Sequence, residues 1–383
     1  MSELMNARMQ NGNVRYNLLA HTSMFALLGY LGMSQGALAA SADVERPTIW
    51  VELGGQFERV DSAQTILAPT FFNLPSEVDL DAMTAAQRMP PTNIGGEGKM
   101  TIEPENTNWV LSAAIRYGRS SSSRHLHEQT AGHKTHFGTL YGKQKYTVVP
   151  PLAAFSDGQS HLTESHFLLD FQAGKDVGVG MFGAGGKSVF SAGLRFAQFT
   201  SRSEIALHAR LNYDTSVLSS PGVFRAYRAD FRNYTAVLNT DRDTHAIGPL
   251  LSWDASAPIA RSDQNMTVTL DWGVNAAILF GRQRTVTHHQ TSGSHHSGFI
   301  ATIAGNVTGY VLPPVDKKRS RTVTIPNLGG FAGITFKKSI TKINLGYRAD
   351  FFFGAVDGGI DTAKKENVGF YGPFATISIG IGG

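Results

Sequence analysis

Side chains able to do chemistry fall into three kinds of spacing in this chain. Asp79-x-Asp81 and Asp243-x-His245 are the first. An acidic pair and an Asp/His pair are groups that can take a proton from water and so activate it for hydrolysis. The second kind is imidazole-rich: His288, His289, His295 and His296 share one stretch, His133 and His136 form an HxxH pair, and His295-x-Ser297 sets a base beside a hydroxyl. Imidazole pairs are donors for zinc or copper. The third kind is a set of charges, each on the polar side of an alternating segment: Glu52, Glu58, Arg116, Glu164, Asp170, Arg195, Asp254, Asp271, Arg348 and Asp350.

Only the third pattern recurs throughout the chain. The acidic and Asp/His pairs are matches of dipeptide scale, and Asp79 and Asp81 lie deep in a long connection. The histidine stretch is rich in Ser, Gly and Thr, with no adjacent carboxylate or cysteine to complete a metal shell, so it reads as an exposed polar loop. The glycine run 178–183 lacks the following helix and downstream acid of a dinucleotide site. With no cysteine, disulfides, thiolate metal sites and cysteine nucleophiles are excluded. A net charge of +4 without a basic cluster does not argue for nucleic acid. No catalytic residue, metal site or cofactor is assigned.

The segments that carry the charges are strands. Met266–Gly281 places Val268, Leu270, Trp272, Val274, Ala276, Ile278 and Phe280 on one face, opposite Thr267, Thr269, Asp271, Gly273 and Asn275. Period-2 alternation puts successive side chains on opposite faces of a sheet. This stripe exceeds the ~9–11 residues a tilted strand needs to cross a bilayer. The same alternation appears around Ile49–Glu58, Trp109–Tyr117, His166–Ala173, Phe190–Phe196, Ile247–Asp254, Leu328–Phe336, Ile343–Phe353 and Ala375–Ile381. Charges avoid the apolar stripes, as lipid demands, because a Lys or Arg near the midplane costs about 2–4 kcal/mol. Trp109, Tyr117, Phe280, Phe353 and Tyr371 sit towards stripe ends, where an interfacial girdle belongs.

At the N-terminus, Arg8 and Arg15 precede the apolar run Met24–Met33, and Ala37-Leu38-Ala39 fits a small-x-small cleavage site. The expected organisation is a secretory signal over 1–39 and an outer-membrane β-barrel over 40–383. Connection lengths alternate short and long, as periplasmic turns and external loops do. The links 59–105, 119–163, 201–244 and 283–324 are read as long external loops. Restoring parity calls for a tight turn at Gly118–Ser123 and a weak strand near Arg124–Phe137. The result is an all-β, antiparallel up-and-down barrel of about ten strands, with about eight to twelve open.

Several strings resemble the pore-forming outer-membrane family typified by the Legionella major outer membrane protein. They are Asp170–Gly174 (DFQAG) with the following KDVGVG, Ser191–Phe199 (SAGLRFAQF), Gly248-Pro249, Leu279-Phe280-Gly281, Tyr347–Asp350 (YRAD) and Gly372-Pro373. The resemblance spans about Asp170 to the C-terminus and implies a β-barrel porin whose exposed loops also serve in adhesion. It carries no catalytic residues. That family is known for disulfide-linked oligomers, which a chain without cysteine cannot form. Nor does the sequence end on the aromatic residue that closes many such barrels. The acidic and Asp/His pairs also resemble those of omptin-type barrel proteases.

The expectation is a general-diffusion porin in a Gram-negative outer membrane, in contact with lipid and lipopolysaccharide. Small solutes or ions would pass a lumen lined by Glu52, Arg116, Asp170, Arg195, Asp254, Asp271, Arg348 and Asp350. Acids outnumber arginines in that set, which would favour cations. One alternative is a closed barrel whose long loops meet a host-surface ligand. A barrel hydrolase around Asp243 and His245 is a further one.

Overall fold

The computed structural model describes residues 48–62, 92–105, 107–129, 155–178, 186–218, 226–261, 266–299 and 306–382. The proposed signal over 1–39, the Asp79/Asp81 pair and the His133/His136 pair lie outside them. Eleven strands follow in chain order: β1 (Ile49–Asp61), β2 (Thr92–Ile102), β3 (Trp109–Gln129), β4 (Phe155–Asp176), β5 (Lys187–Leu218), β6 (Ala226–Arg261), β7 (Met266–Phe299), β8 (Asn306–Val311), β9 (Val315–Lys338), β10 (Thr341–Asp357) and β11 (Lys365–Ile381). Consecutive strands pair antiparallel, β7 passes over the short β8 to pair with β9, and β11 returns to β1. The β6–β7 pairing closes the circle into a ten-stranded antiparallel barrel. The six-residue β8 is a side branch on the upper end of β7.

The strand count agrees with the sequence reading, but one strand lies elsewhere. There is no turn at Gly118–Ser123, because β3 runs unbroken through it and pairs with β4 from Trp109 to Gln129. The missing strand is β2, inside the presumed loop 59–105. Its sequence, TNIGGEGKMTI, hides it: the outward positions Ile94, Met100 and Ile102 are interrupted by Gly96 and Gly98. The stretches 201–244 and 283–324 are also not simple loops. β5, β6 and β7 run for 32, 36 and 34 residues, about three times what a bilayer requires.

Face polarity divides the barrel into two levels. In the lower level the outward side chains are apolar and exposed, among them Ile94 (78%), Leu251 (63%), Phe280 (55%) and Leu328 (55%). Such a band is stable only against lipid, so this level is the membrane-spanning part of an outer-membrane-type barrel. Above it the pattern reverses. On β6 the outward Asn239, Asp241 and His245 are exposed, whereas the inward Tyr234, Ala236 and Leu238 are buried. The upper level is therefore a water-exposed extension of the barrel wall. By the rule that long connections face outward from the cell, it is external.

Candidate functional site: the barrel interior

Side chains facing the interior are held by strand pairing alone, since alternate residues of every strand point inward. All eight sequence-predicted lumen residues stand on inward faces, and five of them, Arg116, Asp170, Arg195, Arg348 and Asp350, form ion pairs inside the barrel. Arg195 forks onto Asp170, with Nε–Oδ1 and Nη2–Oδ2 both at 2.7 Å, and its Nη1 donates to Asn275 Oδ1 at 2.8 Å and to Asn327. Arg116 Nη1 reaches Asp350 Oδ2 at 2.5 Å, and Asp350 Oδ1 lies 4.0 Å from Arg195. Arg348 pairs with Glu97 and lies over the Phe374 ring at 4.6 Å. Arg195 and Asp350 are each only 2% exposed. Charges buried this deeply persist only where an opposite charge stands close by.

The remaining predicted residues sit nearer the lower mouth. Glu52 accepts from Ser378 Oγ at 3.0 Å, and Asp271 accepts from Thr269 Oγ1 at 2.9 Å and from Thr335. Asp254 packs where Gly273 leaves room; a Cβ there would meet its carboxylate at 2.3 Å. Trp50 is buried at that end beneath Lys342 Nζ, 3.4 Å from the ring centroid, with Lys337 Nζ at 5.5 Å. Sequence reasoning missed Glu97 because it missed β2. It also missed Asn275 and Asn327, whose amides complete the shell of Arg195; both stand on the polar side of a recognised strand.

A second polar cluster lies above this network. Asn93 Nδ2 donates to Glu58 Oε2 at 3.0 Å, and His166 Nε2 lies 3.6 Å from Glu58 Oε1. Gly118 makes the space: a Cβ there would sit 2.4 Å from both Asn93 and His166. The His166 ring then meets Phe370 at a centroid distance of 3.9 Å.

Phe370 belongs to an apolar layer that crosses the barrel. It includes Val60, Leu168, Phe199, Leu279, Ile325, Phe352, Val356 and Val368, contributed by β1, β4, β5, β7, β9, β10 and β11. Phe199 and Phe352 pack edge-on at 4.8 Å, and Phe199 stacks on Phe370 at 6.1 Å. A bulge in β10 thickens the layer: the register against β11 shifts between Phe352 and Val356, so the consecutive Ala355 and Val356 are both buried. Gly354 permits this with φ of +69°, a conformation costly for residues with a side chain. A cavity of about 20 Å³ beside Glu164, Phe199 and Phe370 has room for about one water. Nothing in the sequence stripes marked the layer, because its residues sit inward, where a porin would be polar.

Of the hydrolase candidates, the described pair is Asp243 and His245. His245 Nε2 and Asp243 Oδ2 are 2.8 Å apart, but both side chains are nearly half exposed on the outer wall. The supposed histidine loop is strand. His288 Nδ1 meets Asp316 Oδ1 at 2.7 Å, and His289 Nε2 meets Asp361 Oδ1 at 3.0 Å. The carboxylates absent from the local sequence are thus supplied by neighbouring elements. Among the described residues, no three His, Asp or Glu side chains converge as placed to hold a metal ion.

The chain aligns with the transport unit of the autotransporter AIDA-I from Escherichia coli at 6% identity and a TM-score of 0.24, over 94% of this chain and 98% of that one. The translocator domain of the autotransporter NalP from Neisseria meningitidis aligns at 9% identity and a TM-score of 0.23, over 94% and 96%. The Pseudomonas putida toluene transporter TodX aligns at 13% and 0.19, over 88% and 91%. No protein-family model matches the chain, and no curated protein does. The barrel assignment rests on the strand pairing itself.

Proposed function

We propose that this protein is a closed outer-membrane barrel that does not conduct, and that its function is carried by the external wall, in adhesion or another surface contact. The observation that carries this reading is the apolar layer around Phe199, Phe352 and Phe370, with Phe352 and Leu279 wholly buried. A hydrated path for ions would have to pass through it, and apolar constrictions dewet. Beneath it the arginines are used up by internal partners, as in small barrels filled by their own side chains. In this reading Glu52, Arg116, Asp170, Arg195, Asp254, Asp271, Arg348 and Asp350 fill the lumen instead of selecting ions. The strings shared with the Legionella type would mark kinship with a family whose pore is closed here and whose exposed part is retained. A signal over 1–39 would deliver the chain to the outer membrane.

Single-channel recording on refolded protein in a planar bilayer tests the proposal. Wild-type barrels are expected to be silent, and the triple variant Phe199→Ala, Phe352→Ala, Phe370→Ala is expected to gain conductance. Stable wild-type steps with cation preference would sink the closed-barrel reading and restore the diffusion porin.

A further inference from the structure

The external wall has a second feature, on its outer face. Register places His127 of β3 opposite Asp157 of β4, and Asp157 opposite His208 of β5. One row thus reads His–Asp–His across three adjacent strands. His125, two residues before His127 and on the same face, joins it: its Nε2 lies 2.5 Å from Asp157 Oδ1. The His125 and Asp157 side chains are 62% and 33% exposed, so the row is open to solvent. None of these residues takes part in the barrel interior or in the apolar band.

We infer that His127, Asp157 and His208, with His125 as a fourth donor, form a surface site for a late first-row divalent cation such as Zn²⁺. Two imidazoles and a carboxylate are a ligand set suited to zinc, and a fourth donor would complete a tetrahedron. Directly opposed residues on one sheet face have Cβ atoms roughly 4.5–5.5 Å apart. The two outer imidazoles therefore start about 10 Å apart, two strand spacings, with the carboxylate midway. Zinc–nitrogen bonds of about 2.0 Å lie within reach of side chains leaning inward from that separation.

As placed, the donors do not meet. The His127 ring stacks on Phe155 at 5.9 Å, and the His208 ring meets the same phenyl edge-on at 5.1 Å. Phe155 precedes Asp157 by two residues on the same face, so both imidazoles already flank β4 and need only turn along it. Arg210, whose guanidinium lies 5.5 Å from the Phe155 ring, is a nearby cation that opposes a metal. It donates to Asn233 Oδ1 at 3.1 Å, which draws it towards β6. That opposing charge and the cost of turning two rings both weaken the site.

Calorimetric titration of the refolded full-length barrel with Zn²⁺ at neutral pH tests the site. The variant His127→Gln, His208→Gln should lose one equivalent of bound zinc while keeping its heat-modifiable fold, because both side chains stand on the exposed face. Asp157→Asn should weaken the same equivalent at least tenfold, and His245→Gln should leave it unchanged. In Cu²⁺ spectra, the wild type should show nitrogen coupling from at least two imidazoles that the double variant lacks. Equal zinc stoichiometry and affinity in wild type and double variant would overturn the inference, whatever other histidines bind.

Discussion

The lower and upper levels of the barrel use the same strands with opposite polarity. On β6 the outward residues Ile247 and Leu251 face lipid while Asp243, Asp241 and Asn239, on the same side of the same strand, face water. Inward, Arg195 and Asp170 lie at membrane level, whereas Ile205, Leu207, Ala209, Tyr234, Ala236 and Leu238 form a core above it. Between these two strands the pleat does not slip from one level to the other, since β5 and β6 stay in register from Lys187↔Ser256 to Leu211↔Arg232. What changes is the solvent outside. A wall bathed in lipid must keep its polar groups within, and one bathed in water can bury its apolar groups instead.

Breaking the membrane-level interior should have the largest effect. Arg195→Met leaves Asp170 buried without its fork and removes the donor to Asn275 and Asn327. Loss of one partner from a buried pair costs about 3–5 kcal/mol. Urea unfolding of the barrel in lipid vesicles should show that loss, with the double variant Arg195→Met, Asp170→Leu recovering part of it. No recovery would mean that the pair is not the unit holding this level.

The upper level should respond to the opposite chemistry. Leu238 is wholly buried there, packed with Ile205, Leu207 and Tyr234. Leu238→Ala should cost about 2–5 kcal/mol locally. Hydrogen exchange should show faster opening of β5 and β6 above the membrane with the lower strands unchanged. Uniform destabilisation would mean that the two levels unfold as one.

The outward faces give a sharper contrast within a single strand. Leu251→Arg places a charge in the apolar band and should cost about 2–4 kcal/mol if it sits near the midplane. Asn239→Arg, twelve residues earlier on the same face, should change stability by less than about 0.5 kcal/mol. Equal costs would remove the membrane boundary from between them.

This reversal explains what could be read in the sequence. The lower level was legible because apolar stripes such as Val268–Phe280 follow a single rule over one bilayer thickness. The same rule puts Glu52, Arg116, Asp170, Arg195, Asp254, Asp271, Arg348 and Asp350 on the face opposite the stripes. The upper level reads as loop in the sequence because its outward residues are polar, although the alternation continues: Tyr234, Ala236 and Leu238 keep strict period 2. β2 escaped because Gly96 and Gly98 stand where its outward stripe should be, while the inward Gly95 admits the Glu58 carboxylate, 2.7 Å from where a Cβ would lie. The apolar layer was invisible for another reason. Phe199, Phe352 and Phe370 come from three strands, and only the closed barrel brings them together.

The smallest expected effect concerns how the upper level is tied to the β10–β11 connection. Asp361 in that connection meets Lys317 Nζ at 2.9 Å and His289 Nε2 at 3.0 Å. The hydrogen bond from Lys317, then that from His289, holds its carboxyl below the usual aspartate range. At the foot of the connection burial pushes Asp357 up, but the Lys364 and Gly359 N–H donors and Arg319 outweigh it and hold it low as well. A carboxyl depressed in the folded state contributes stability that is present above its unfolded value. That stability is lost as pH falls through the folded value. The tie should therefore be intact at neutral pH and release only in acid, below the ordinary carboxylate range. Because Asp361 is half exposed, solvent screening keeps its share under about 1 kcal/mol. Hydrogen exchange of residues 358–364 should rise on acidification in the wild type, and the Asp361→Asn variant should show a smaller pH response. If the variant kept the full response, Asp357 with Arg319 would be the sole pH-sensitive anchor, and the boundary between the levels would be held from inside the wall alone.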